Sequence, residues 1–348
     1  MDLNERKLLI LQAIIGDFIH SAEPVGSRTI SKKLNMEISP ATIRNEMSDL
    51  EEMGFLTHPH TSAGRVPSTK AYRLYVDALM GKSELSPDIK RIISQRLTKN
   101  VNEIEGLIQK ATSVLSEITN LTSFAMPPRS DDERLKYIRL IPLDEDTVIF
   151  MIVSDGGKVS NMTLRLREPF TDESLDILSK VMTYNYKGKT VSEALTYNII
   201  QDVMKDAKAL GGLMQNVMPK FLKTLEEMLD VELFVDGLTN IFNTPEYNDI
   251  CKAKLFMEML HRKEEFAKSL ENRENGVIIT IGDENEDVDM KECSLITATY
   301  HVEGKLVGKL GVIGPTRMKY GEVTSVIEFM TQNLESTFKL IGGFEDDS

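Results

Sequence analysis

The residues whose types suggest chemistry lie in the first quarter of the chain. The whole sequence of 348 residues carries a formal charge of -13. From Met53 to Val76, however, it holds the bases Arg65, Lys70 and Arg73 and no aspartate or glutamate. A surface that lies along a nucleic-acid backbone needs basic and hydroxyl groups and excludes carboxylates. This segment therefore predicts a local contact with phosphate groups.

The charge balance limits what kind of contact this can be. Net acidity argues against a protein that coats nucleic acid without sequence preference, because phosphate attraction depends on local positive charge. Between residues 25 and 75, seven bases stand against five acids, a local charge of +2. The acidity lies elsewhere, so the composition permits a small DNA-reading site.

A helix-turn-helix is the arrangement that would position these groups. Apolar residues recur at steps of three and four from Asn4 to His20, which predicts a first helix. Ser27 can cap a short second helix. Ser39 as N-cap, Pro40 at the first helical position and Gly54 after the last turn delimit a third. In such a motif, the helix after the turn enters the major groove.

The two faces of the third helix differ in chemistry. Ile43, Met47 and Leu50 cluster on one side, whereas the outward positions are small, polar or basic and suit base edges and phosphates. Glu46 comes early in the helix, and its angle places it beside the apolar face, where it can pair with a neighbouring base. The DNA-facing residues predicted for this helix are Ser39, Ala41, Thr42, Arg44, Asn45 and Ser48.

The segment after the third helix is typical of a wing. A strand from Phe55 to Thr57, a polar turn and a second strand at Val66 form a hairpin. No role is assigned to the two loop histidines, His58 and His60. Short helices with a hairpin also occur outside DNA-binding proteins, so a scaffold whose winged helix binds protein stays open. The DNA contacts predicted for the wing are Thr61, Ser62, Gly64 and Arg65.

The rest of the chain predicts two further α+β domains. An apolar stripe from Ile89 to Ile118 indicates one long helix that opens at Pro87. A three-strand meander and several helices follow, then a helix near Tyr247 to Asn272, three more strands and a closing helix. We interpret the meander and its helices as an insertion. The predicted domains are 1–82; 86–131 with 231–348; and the inserted 132–230.

Patterns typical of metals, cofactors and catalysis are missing from the sequence. The acidic segment GDENEDVDMKE fails the EF-hand spacing at Val288 and Ser294. No phosphate-loop pattern is present in the glycine-containing stretches GGKVSN and LGGLM, and no Ser/His/Asp or Cys/His set can be proposed. Cys251 and Cys293 indicate neither a disulfide framework nor a zinc site. We predict no enzyme, no catalytic residue, no metal and no cofactor. Arg317, in the turn GPTR, is interpreted as a structural cap or ion-pair partner.

The expected compartment follows from the two isolated cysteines, which indicate a reducing environment, and the N-terminus gives no contrary signal. No apolar run approaches the roughly 20 residues of a membrane span. Acids at Asp2, Glu5 and Asp17 interrupt the first apolar stretch, which argues against a signal peptide. We expect a cytoplasmic protein with no membrane contact.

Three stretches resemble one bacterial family. SPATIRNEMSDLEEMGFLTHPHTSAGRVPS, AYRLYVDALM and IGPTRMKY are similar to the heat-inducible transcription repressors of the HrcA family. The resemblance implies an N-terminal winged helix-turn-helix, a GAF-like α+β domain and an inserted α+β dimerisation domain. It also implies a non-enzymatic repressor of heat-shock chaperone genes that binds an inverted-repeat operator on double-stranded DNA as a homodimer. Its activity would be lost on heat stress and recovered with a GroEL-type chaperonin. The GAF-like fold would allow a small ligand, but the sequence carries no signature of one.

The physical argument for a dimer agrees with this implication. A two-fold operator requires two reading heads, and one head with a local charge of +2 would bind weakly. We expect the residues from about Asp132 to Leu229 to hold much of the subunit contact, because their apolar content is not needed by the DNA reader.

Overall fold

A computed structural model describes residues 3–34, 38–59, 64–81, 83–98, 104–127, 134–155, 158–166, 169–197, 208–229, 232–271, 273–302 and 305–341. The chain divides into two compact units, Met1–Pro128 with Glu232–Ser348 and Arg129–Val231. Among the described residues, no helix is long and apolar enough to cross a bilayer.

The first unit begins with a small helical part, called the head (residues 3–81). The predicted N-cap of its third helix is confirmed. The second helix differs from the prediction, because Ser27 is its first helical residue and the carbonyl oxygen of Gly26 accepts its first backbone hydrogen bonds. The elements of the head are α1 (Glu5–Ser21), α2 (Ser27–Leu34), α3 (Pro40–Glu52), β1 (Leu56–Thr57), β2 (Val66–Pro67) and α4 (Thr69–Leu74), which continues as a π-helical turn (Tyr75–Leu79).

The remainder of the first unit, called the body, is built on a five-stranded sheet in which all pairs are antiparallel and the order is β7-β3-β10-β9-β8. Short 3-10 turns follow β7 and β8. The elements are α5 (Pro87–Thr98), α6 (Ile104–Thr119), β3 (Thr122–Met126), β7 (Phe234–Asp236), α10 (Ile250–His261), α11 (Lys263–Glu271), β8 (Val277–Ile281), β9 (Cys293–Val302), β10 (Lys305–Pro315) and α12 (Tyr320–Ile341).

Helices cover both faces of this sheet. Ala125 of β3 joins the apolar core that contains α6 and α12, whereas its neighbour Phe124 packs edge-to-face on Phe266 of α11, with 5.2 Å between ring centroids. Successive residues of a strand point to opposite faces, so the two contacts lie on opposite sides. The core with α6 and α12 continues into the head as far as Ile10 of α1.

The prediction of one long helix from Pro87 to Ile118 is wrong. Residues 99–103 lie outside the described part, and α5 and α6 on either side of them pack against each other. Arg96 and Glu117, which are 21 positions apart, form an ion pair. A continuous helix would hold those two residues about 31 Å apart. The apolar stripe therefore belongs to two helices that fold back on each other.

The second unit contains the predicted meander. Its sheet has the order β4-β5-β6, antiparallel throughout, with Ile138 opposite Ile152 and Ile152 opposite Ser160. The inner face packs on helices, as where Phe150 meets Phe221 edge-to-face at 5.8 Å. The elements are β4 (Leu135–Pro142), β5 (Thr147–Ser154), β6 (Val159–Arg165), α7 (Asp172–Tyr186), α8 (Val191–Thr196) and α9 (Lys208–Leu229).

Two further differences from the sequence prediction concern the helix after Tyr247 and one strand of the body. The helix expected from Tyr247 to Asn272 is two helices, α10 and α11, which meet at Arg262. Strand β3 was not predicted. The helical pattern predicted across residues 198–207 lies outside the described residues.

Candidate nucleic-acid interface

The local sequence sets both ends of α3. The Ser39 side chain accepts a hydrogen bond from the backbone N–H of Thr42 at 3.1 Å, and Pro40 occupies the first turn. At the other end, Gly54 adopts a left-handed φ of +79°. The backbone N–H of Phe55 then donates to the carbonyl of Leu50 at 2.9 Å, which closes a Schellman-type cap.

The predicted division of α3 into two faces is confirmed. Ile43, Met47 and Leu50 are buried in the core of the first unit. Thr42 in the first turn is half-buried, and the other outward positions are exposed: Ser39, Ala41, Arg44, Asn45 and Ser48.

The outward side chains at the centre of α3 are also without internal partners. Arg44, Asn45 and Ser48 form no side-chain hydrogen bond or ion pair with any residue that the structure describes. A guanidinium, an amide and a hydroxyl displayed together can bind phosphate oxygens and read base edges, Asn45 being suited to adenine. Their roles stay a prediction.

Glu46 is turned away from this face. Its side chain is buried, with 5% of the residue exposed, and it pairs with two bases of α1. Lys7 Nζ lies 2.7 Å from Oε2, and Arg6 Nε donates to Oε1 at 2.6 Å. Hydrogen bonding to Lys7, more than to Arg6, lowers the pKa of Glu46 below its usual value despite the opposing effect of burial. The negative charge of the one acid early in α3 is therefore compensated by the two bases, and the ion pairs connect α1 to α3.

The hairpin after α3 is short and is tied to the rest of the head. Leu56 pairs with Pro67 and Thr57 with Val66. Arg65 and Val25 exchange backbone hydrogen bonds at 2.8 and 2.9 Å. A Cβ at Gly64 would lie 2.4 Å from the carbonyl oxygen of Val25, so this glycine permits the close approach of two backbones. Of the predicted wing contacts, Thr61 and Ser62 lie outside the described residues.

Arg65 is paired within the head. Its guanidinium lies 2.7 Å from Oε2 of Glu51 and 3.0 Å from Nδ1 of His58, and 18% of the side chain is exposed. A phosphate group would have to compete with Glu51 for this arginine. Partly exposed ion pairs contribute little, about 0 to 1 kcal/mol, so such an exchange is physically possible. The contact stays a prediction.

The other two bases of the acid-free segment are engaged as well. Lys70 Nζ donates to the carbonyl of Met53 at 2.9 Å and lies over the ring of Phe55. Arg73 Nε donates to Oε1 of Glu284 at 2.8 Å. The sequence indicated the surplus of positive charge in this segment correctly, but it could not show that partners elsewhere in the fold take up most of it.

Two further bases of the region with the local charge of +2 lie on α2, outside the predicted contacts. Arg28 and Lys32 form no ion pair among the described residues, whereas Lys33 pairs with Asp17 at 2.7 Å. The first helix of a helix-turn-helix crosses the phosphate backbone, so Arg28 and Lys32 are additional candidates. Their location in the helix before the turn is the signal that could have identified them.

Over the described part of the chain, no group of three or more histidine, cysteine, aspartate or glutamate side chains could hold an ion.

Comparison with known proteins gives consistent matches. The family model described as HrcA protein C terminal domain matches residues 105–324. The heat-inducible transcription repressor HrcA of Alkaliphilus metalliredigens is 42% identical over 340 residues, which cover 97% of this chain and 99% of that protein. The repressor of the same name from Clostridioides difficile is 40% identical over 335 residues, covering 95% and 98% of the two chains.

A solved structure shares the fold. The crystal structure of a hypothetical protein at 2.2 Å resolution superposes with a TM-score of 0.66 at 22% identity, covering 98% of this chain and 100% of that chain. At this identity the similarity shows the fold alone.

Proposed function

The chain belongs to the HrcA family of heat-inducible transcription repressors, and from this premise we propose that it binds an inverted-repeat operator ahead of heat-shock chaperone genes as a homodimer. The family is one of transcription repressors and not of enzymes. A repressor of chromosomal genes would act in the cytoplasm. We further propose that the head is a winged helix-turn-helix, that the body is the GAF-like domain and that the second unit is the inserted dimerisation domain.

The observation that carries this proposal is the outward face of α3. Arg44, Asn45 and Ser48 are exposed and unpaired within the described chain, while Ile43, Met47 and Leu50 on the opposite face hold the helix in a core. A reading helix needs free polar groups on a rigid support, because side chains already bonded within the protein cannot also bond to bases.

A single head would bind weakly, so a second observation supports a dimer. The outer face of the sheet in the second unit carries large apolar side chains that are partly open to solvent. Tyr137 is 46% exposed, Ile141 43% and Val159 52%. Cross-strand pairing joins Tyr137 with Val153 and Val159 in one row. A parallel row joins Ile141 with Ile149, and the row between them consists of Arg139, Met151 and Asn161.

A second copy of the chain is the occupant that we propose for this face. The inner face of the same sheet is covered by α7 and α9 of its own unit. Exposed apolar patches of this kind are typical of interaction surfaces, and a two-fold operator requires two identical heads.

The test of the proposal is DNA binding by the purified full chain. We expect it to protect an inverted repeat upstream of chaperone genes in a footprint, and to prefer that duplex over a scrambled one at moderate salt. Equal affinity for the two duplexes would refute operator recognition. The Arg44→Ala variant should weaken binding, whereas the exposed substitution Lys220→Ala in the second unit should not.

The heat response is a separate part of the proposal. Domains are only marginally stable, and a change of about 1 to 2 kcal/mol alters the unfolded population several-fold. We propose that repression is lost when the repressor unfolds or aggregates faster than a GroEL-type chaperonin restores it. Operator affinity should then fall within the inducing temperature range, and adding chaperonin with ATP should restore it. Full affinity of the purified repressor well above that range would contradict this mechanism.

A further inference from the structure

Two arginines connect the head to the body across long stretches of sequence. Arg73 of α4 forms a two-pronged ion pair with Glu284, in which Nε donates to Oε1 at 2.8 Å and Nη2 donates to Oε2 at 2.5 Å. Nη2 also donates to the carbonyl of Ile279 in β8, the edge strand of the sheet. One head residue thus holds both a side chain and the backbone of the body.

Arg317 makes the reciprocal connection from the body. It lies in the turn between β10 and α12, and its side chain is 13% exposed. Nη1 donates to the carbonyl of Ile19 in the last turn of α1 at 2.7 Å, while Nε and Nη2 donate to Glu246 at 2.6 and 3.1 Å. A cation at this end of α1 is stabilised by the helix dipole as well.

The two contacts lie on different elements of the head, α4 and α1. Between them the buried rings of Tyr72 and Tyr320 lie 5.9 Å apart. Apolar packing alone permits sliding, since it is not directional. A planar guanidinium that donates in a fork to a carboxylate prescribes both distance and orientation. The fork from Arg73 to Glu284 joins head and body directly, whereas the fork from Arg317 to Glu246 lies within the body and orients the guanidinium toward the Ile19 carbonyl of the head. These contacts at two separate points therefore fix how the head is oriented on the body.

We propose that Arg73 and Arg317 are positioning residues for operator recognition: they set the orientation of each head on its body, so that the two heads of a dimer match one spacing of half-sites. This inference rests on the proposed function. The half-sites of a symmetric operator lie on one side of the duplex when they are separated by about one helical turn of 10 to 10.5 base pairs. Heads held in one orientation can engage both only at the matching spacing.

The experiment measures the spacing penalty, which is the factor by which binding weakens when the distance between the two half-sites is changed. A duplex with two half-sites is selected from a random library on the wild-type full chain, and a second duplex is made with about 5 base pairs inserted between the half-sites, half a helical turn. Simultaneous engagement of two sites contributes about 100-fold to 10,000-fold, and it is lost when geometry forbids it. We expect the insertion to weaken wild-type binding by at least about tenfold.

The double variant Arg73→Ala/Arg317→Ala should reduce that penalty to less than about threefold, because freed heads can adapt to either spacing. Its affinity for a single half-site should equal that of the wild type, which shows that the head is still folded. The control Arg262→Ala breaks an ion pair with Asp289 elsewhere in the body and should leave the penalty unchanged. Arg73→Glu should behave like the double variant, and Arg73→Glu/Glu284→Arg should restore the wild-type penalty.

A merely structural role would lower stability without changing the ratio of the two affinities. An unchanged spacing penalty in the double variant, or no penalty in the wild type, would overturn the inference while leaving operator binding intact. Selection of no inverted repeat by the wild type would instead overturn the proposed function, and with it this inference.

Discussion

The outward face of α3 and the outer face of the β4-β5-β6 sheet are both exposed, but the first is polar, whereas the second carries apolar rows on either side of Arg139 and Asn161. The first displays Arg44, Asn45 and Ser48 without partners among the described residues; the second displays Tyr137, Ile141 and Val159 in rows. A polar surface of this kind can read a duplex but binds weakly alone, while an apolar surface favours association by burial. The comparison indicates that recognition and affinity are supplied by different parts of the chain.

The largest effect on operator affinity is expected from changing the apolar residues on the outer face of the β4-β5-β6 sheet. The double variant Ile141→Glu/Val159→Glu places two charges in the proposed subunit contact, without touching the buried core of the unit. It should sediment as a monomer and lose more than about 100-fold in operator affinity, because only one head then binds at a time. Lys220→Glu, an exposed change on α9 of the same unit, is the matched control. A dimer with wild-type affinity would show that this face is not the contact.

The next effect concerns sequence discrimination by the polar face. Asn45→Ala should reduce the preference for the operator over a mismatched duplex by about 1 to 3 kcal/mol, the value of one bidentate base contact. Binding to nonspecific DNA should stay unchanged, since phosphate contacts remain. Competition titrations measure both quantities. If affinity for all duplexes falls equally, Asn45 contacts the backbone and does not read a base.

A smaller effect, on folding stability, tests whether Glu46 lies outside that polar face. Pairing lowers the pKa of Glu46 in the folded state, so the ionised carboxylate stabilises the fold above its unfolded pKa of about 4.3. This contribution is lost as the pH falls through the folded-state pKa. Glu46→Gln should therefore cost about 1 kcal/mol at pH 7 and flatten the acid side of the stability profile, measured by denaturant unfolding. A large gain in operator affinity would mean that the carboxylate faces DNA.

The smallest effect tests whether the hairpin belongs to the same surface as α3. Arg65→Ala should weaken binding to all duplexes by less than about tenfold, and the logarithmic salt dependence should drop by about one unit for each phosphate group that the protein no longer binds. Because Glu51 competes for this arginine, Glu51→Gln should raise affinity slightly. If neither change alters the salt dependence, the Arg65–Glu51 pair is purely structural.

Local signals predicted α3 well because its determinants are close in sequence. Ser39, Pro40 and Gly54 act within one helical turn of the ends, and the apolar spacing of Ile43, Met47 and Leu50 defines the buried face. The meander was equally readable from its alternating strands. Strand β3 is not evident from the sequence because its five residues, separated from α6 by two residues, are buried on both faces and show no alternation.

The error over α5 and α6 has a different cause. An apolar stripe with helical spacing continues unchanged whether a helix runs on or folds back, so periodicity cannot distinguish the two. The ion pair between Arg96 and Glu117, which decides the matter, exists only in the folded chain.

The sequence by itself determined the family, the limits of α3, its two chemically different faces and the order of most strands, since each depends on neighbouring residues or on long motifs. Only the tertiary structure decided where the charges go. Arg65 and Lys70 find partners within the head, whereas Arg73 and Arg317 form bonds between head and body, and the partner of Arg73 is 211 positions away. A charged side chain reaches only a few ångströms, so its role is set by what folding brings beside it.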